Sequence, residues 1–113
     1  MVTIWKANLL MPTEIYYAPK DENAPLPTLT ELRQRFAAAG LPCTIEPEEG
    51  APDLWWIIFE PQSTSTILAS TKEEQLVFAT VEVPLDDDPS FPEKIDRVLE
   101  SIGFFCEDPD QYL

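Results

Sequence analysis

Two helix signatures, from Thr28 to Gly40 and from Ser90 to Gly103, bracket a long stretch patterned for strands. That order constrains the fold more than any other feature of the chain. Thr28 followed by Glu31 is a capping box, in which hydroxyl and carboxylate reciprocally satisfy backbone N–H groups that a helix start leaves bare. Leu29, Leu32 and Phe36 recur at helical spacing with Ala39 beside them. Gly40 supplies the left-handed residue past the end, and Pro42 prevents continuation. Ser90 with Glu93 reads as a second capping box, and Ile95, Val98, Leu99 and Ile102 as one apolar stripe closed by Gly103. Both helices exit through Gly, an apolar residue, any residue and Cys, which ordinary helix-exit grammar explains without internal duplication.

The remaining chain is β-like. Val2–Met11 alternates with apolar residues on both faces, Pro12 ends it, and Ile15–Tyr17 reads as a short return strand. Residues 18–27, with Pro19, Pro25 and Pro27, read as an extended loop of polyproline character. Cys43–Glu46 is a strand, Pro47–Asp53 a turn rich in breakers, and Leu54–Phe59 a strand buried on both faces. Thr64–Ser70 and Leu76–Val83 are two more strands around Thr71–Glu74, where Thr71 and Glu74 could alternatively cap a short helix. Phe104–Cys106 forms a short last strand before an acidic tail at 107–113. The expectation is a single α+β domain over residues 1–113. It has a mainly antiparallel sheet of about four to six strands and two helices on one face, with a ferredoxin-like sandwich plus a hairpin as a candidate topology.

Charge limits what such a domain can bind. Twenty-one acids against seven bases give a net charge of −14 on 113 residues. With 44% hydrophobic residues the charge does not imply disorder; it implies self-repulsion and repulsion of nucleic acid and anionic lipid. Residues between Cys43 and Thr71 include five acids and no base, and those from Glu73 to Glu93 seven acids and no base. Bases concentrate on the two helices and the N-terminal third. No cationic stretch precedes an apolar run at the N-terminus, and no apolar span reaches about 18 residues, so a cytoplasmic protein is expected.

Reactive groups are sparse. The chain has no histidine, which removes the commonest general base and zinc ligand. Its three glycines serve turns and helix ends, leaving none for a phosphate-binding loop. Cys43 and Cys106 follow helix C-termini, where a thiolate is disfavoured, and read as ordinary half-buried thiols. The acidic triplet at Asp86 lacks the glycine and glutamate of a calcium loop. No enzyme, cofactor or metal is expected.

The expected role is recognition of a basic protein surface, as in a toxin-neutralising immunity protein or a nucleic-acid-mimicking inhibitor, with no direct nucleic acid or membrane partner. Glu46, Glu48, Glu49, Asp53, Asp86, Asp87 and Asp88 would supply carboxylates where phosphates would otherwise sit. Trp55 and Trp56, adjacent on a strand, point to opposite faces, and whichever lies away from the helices would anchor the partner. The alternative is an accessory protein that homodimerises through its sheet, with charge serving solubility.

Overall fold

The computed structural model describes residues 13–21, 23–84, 88 and 90–106. In chain order these form β1 (Thr13–Pro19), α1 (Leu29–Ala38), β2 (Thr44–Glu48), β3 (Ala51–Ile58), β4 (Thr66–Lys72), β5 (Gln75–Val83), α2 (Phe91–Ser101) and β6 (Phe104–Cys106). The six strands make one sheet in the order β2-β3-β4-β5-β1-β6, every pair antiparallel. The strand anticipated at Val2–Met11, residues Asp86 and Asp87, and the acidic tail at 107–113 lie outside the described residues.

The sheet order makes β1 parallel to β2 and β5 parallel to β6, and a helix carries the chain across each pair. One crossover starts on an upward strand and moves one way; the other starts on a downward strand and moves the opposite way. A half-turn about the sheet normal interconverts them, so crossovers of the same hand put both helices on the same face. The buried cluster agrees: Leu32 and Phe36 of α1 and Phe91, Ile95 and Leu99 of α2 pack with Ile57, Ile67, Ala69, Ala79 and Val81 of the strands. This is the ferredoxin-like order widened by one β-hairpin, an α+β fold.

Both capping expectations can be compared with the backbone. Thr28 accepts from the Glu31 N–H at 3.1 Å, and Glu31 accepts from the Thr28 N–H, completing the box. Ser90 precedes α2 as expected, but its side chain makes no capping bond. A capping oxygen seeks the second or third N–H of the helix; Pro92 has none, and Asp88 competes for the serine. The Ser90 N–H and hydroxyl both donate to Asp88, each at 2.9 Å. Gly40 and Gly103 follow the helix ends with φ of 80° and 87°, as anticipated.

One turn differs from the sequence expectation, and a second matches it and rules out the alternative helix. The breaker-rich segment 47–53 is largely strand, closed at Glu49–Gly50. Pro47 is tolerated because β2 is an edge strand and carries a bulge there, and Pro52 precedes the residues of β3 that pair with β4. At Thr71–Glu74 there is no helix: Lys72 pairs with Gln75, and Glu73 and Glu74 form a two-residue turn with φ of 54° and 69°. That geometry favours Asn-Gly, and two glutamates are strained in it. Glu73→Asn with Glu74→Gly is therefore expected to stabilise the protein by about 1–2 kcal/mol. Urea denaturation checks it, and an unchanged midpoint would show that the turn stores no strain.

Candidate functional site

Strand alternation sorts the side chains into a covered and an uncovered face. Ile57 and Phe59 point into the core with no exposure, and Trp55 packs partly against it. Leu54, Trp56 and Ile58 point the other way, where no helix among the described residues packs, and are half-buried. Leu54–Phe59 is thus buried on one face only, which corrects the expectation of burial on both. Its uniform hydrophobicity has a second use, since the open face is itself apolar. The ladder aligns Glu46, Trp56, Leu68, Thr80 and Tyr16 across five strands, and Phe78 stacks on Tyr16 with ring centroids 6.1 Å apart. A contiguous apolar patch on a sheet face is a common mark of an interaction surface.

Carboxylates flank this row. On one side the Trp56 indole N–H donates to the Glu48 carboxylate, fixing the ring, and Glu46 stands directly opposite Trp56 on β2. On the other side Glu14 and Glu82 oppose each other across β1 and β5. Like charges in that position are destabilising. Burial, with Glu14 adding to it, pushes the Glu82 carboxyl up from its ordinary range. The Tyr16 hydroxyl donates to Glu14 at 3.1 Å, and the carboxylate pushes the phenol up.

Charge divides by layer. Among the described residues the strands hold Glu14, Glu46, Glu48, Asp53 and Glu82 against Lys72 alone, whereas the helices hold four acids and four bases. The helices are thus locally neutral and the sheet strongly negative.

The residues expected from sequence divide accordingly. Glu46, Glu48 and Trp56 come together on the open face. Glu49 is exposed in the β2–β3 turn. Asp53 and Trp55 lie on the helix side and line a cleft beside the start of α1. Asp88 sits in the lead-in to α2, where its bonds from Ser90 hold its carboxyl below the ordinary range. Asp86 and Asp87 fall outside the described residues. Glu14, Glu82, Tyr16, Leu68 and Phe78 were not anticipated; their alternation is visible in sequence, but their convergence needs the strand order.

The thiols are free and half-buried, and burial raises Cys43 despite the opposing pull of Arg33. Cys43 leads into one edge strand and Cys106 lies in the other, five strand spacings of about 4.8 Å apart, so no disulfide joins them within one chain. Among the described residues no group of three or more Cys, Asp or Glu is placed to hold a metal ion, and no helix is long and apolar enough to cross a membrane. No family model, curated protein or solved structure matches the chain.

These shifts set a pH dependence. Because Glu82 is raised in the folded protein, the folded state holds its proton more tightly than the unfolded chain does. Its penalty is full at neutral pH and is relieved as pH falls through the raised value toward the ordinary 4.5. Asp88 acts oppositely: its contribution is present above the ordinary 3.8 and is lost as pH falls through its depressed value. The melting temperature is expected to rise on mild acidification and to fall again in stronger acid. Glu82→Gln should blunt the rise, and a variant whose rise matches the parent would remove Glu82 as its source.

Proposed function

We propose that the chain is a cytoplasmic binding protein that docks its open sheet face on a basic protein surface, in the manner of an immunity protein or a nucleic-acid-mimicking inhibitor. One observation carries the reading: Trp56, held by Glu48, stands in an apolar row flanked by Glu46 and Glu48 on one side and by Glu14 and Glu82 on the other. Apolar residues supply affinity on desolvation, and the carboxylates supply steering and register. A cationic partner would also relieve the repulsion between Glu14 and Glu82. The sheet edges are poor alternatives for docking, because β6 has three residues and β2 is broken by a bulge and Pro47.

The protein immobilised through its N-terminus should retain a net-basic protein from native lysate at low ionic strength and release it as salt rises. Glu46→Lys with Glu48→Lys should sharply reduce retention. A partner held equally by this variant, or indifferently to salt, would sink the reading. A tight homodimer in sedimentation that shields Trp56 would transfer it to self-association.

A further inference from the structure

The cleft beside α1 has a composition the open face does not explain. Its volume is about 540 Å³, within the usual range for small-ligand sites. Trp55 forms one wall, half-buried against the core, and Leu29 adds apolar surface. Thr71 lies in the lining with 8% exposure, its hydroxyl donating to the Asp53 carbonyl at 3.3 Å. Asp53 and Glu74 contribute the charged groups, and among the described residues no base lines the cleft. The scaffold is tied down: the Leu76 N–H donates to the Pro27 carbonyl at 2.8 Å, pinning the approach to α1 against β5.

The sign of a ligand follows from these groups. A helix start ordinarily favours anions. Here Thr28 caps the Glu31 N–H and Glu31 places its carboxylate at the same terminus, so an anion would meet Glu31, Asp53 and Glu74. A cation meets two carboxylates and an indole, the combination that holds guanidinium and alkylammonium groups. The Glu73–Glu74 turn fits this use. Its strained backbone keeps Glu74 at the rim, where a relaxed Asn-Gly turn would leave no carboxylate.

We propose that this cleft is a binding site for a single organic cation of the guanidinium or alkylammonium class, stacked on Trp55 and paired with Asp53 and Glu74. The cation is either a free small molecule or a side chain borne on a peptide. The site is independent of the open face.

The test follows the Trp55 indole N–H signal by two-dimensional NMR during titration with arginine amide, and separately with a short arginine-containing peptide. A saturable shift confined to Trp55 is expected. Saturation by the amide identifies a free cation as sufficient, and saturation by the peptide alone identifies a borne side chain. Asp53→Asn with Glu74→Gln should weaken the interaction at least tenfold. Glu73→Asn with Glu74→Gly should weaken it while raising stability, which separates lost binding from lost folding. Glu46→Lys with Glu48→Lys should leave it intact, so its failure and that of the open-face reading are distinguishable. The proposal is overturned if both probes give only the shift produced by sodium chloride at equal ionic strength, or if the neutralised variant titrates like the parent.

Discussion

Phe59→Ala is expected to destabilise the protein by about 3–5 kcal/mol, close to the whole net stability of a small domain at the lower end of the usual range. Phe59 follows β3 and has no exposed surface. Its ring meets Phe36 of α1 edge-on at 5.1 Å and Phe91 of α2 at 5.2 Å, so one side chain joins both helices to the sheet. Truncation removes the transfer energy of the ring and two edge-to-face contacts, and leaves a cavity that rigid strands cannot close. Phe59→Leu keeps much of the volume and should cost about 1–2 kcal/mol. Urea unfolding with an unchanged slope measures both; a loss under about 1 kcal/mol for the alanine variant would mean that the three rings are not a shared core.

Local grammar made much of this fold legible. The capping box at Thr28 and the apolar stripe of α2 need only neighbours in sequence, and both are where the sequence placed them. The cap of α2 was misread because Ser90 has two possible uses, and the choice depends on the missing N–H of Pro92 and on Asp88. The Glu73–Glu74 turn was open between hairpin and helix, because glutamate carries no signal for positive φ. Topology was a candidate only, since the pairing of β1 with β5 joins residues far apart in sequence.

The site was legible in part for the same reasons. Opposite facing of Trp55 and Trp56 follows from the period of a strand, but which one the helices cover depends on where they pack. Grouping Glu46, Glu48, Glu49 and Asp53 by proximity in sequence mixed two faces: Asp53 shares the side of Trp55, and Glu46 and Glu48 that of Trp56. Glu82 looked like one acid among many until Glu14 stood opposite it. Net charge alone could not separate a solvated surface from a recognition surface. The neutral helix layer against a negative sheet gives that charge a location, and the proposed recognition surface rests on it.

Trp56→Ala is expected to weaken capture of the basic partner by about 30-fold or more, the effect of losing a central aromatic anchor worth about 2 kcal/mol. The indole is already oriented by its bond to Glu48, so little ordering cost falls on binding. Its N–H is engaged within the protein, so the ring surface rather than the donor is what a partner would meet. Trp56→Phe should therefore retain more affinity than Trp56→Ala, despite losing the same hydrogen bond. The two losses also differ from that of Glu46→Lys with Glu48→Lys. Removing the ring should act mainly on dissociation and leave the salt dependence nearly unchanged, whereas reversing the charges should slow association and flatten it. Trp56 is half-buried and outside the core, so the fold should tolerate its loss, and circular dichroism with a urea midpoint verifies that it does. Binding kinetics of the three variants against the captured partner at two ionic strengths separate the terms. Unimpaired capture by a folded Trp56→Ala protein would move the docking surface off the open face.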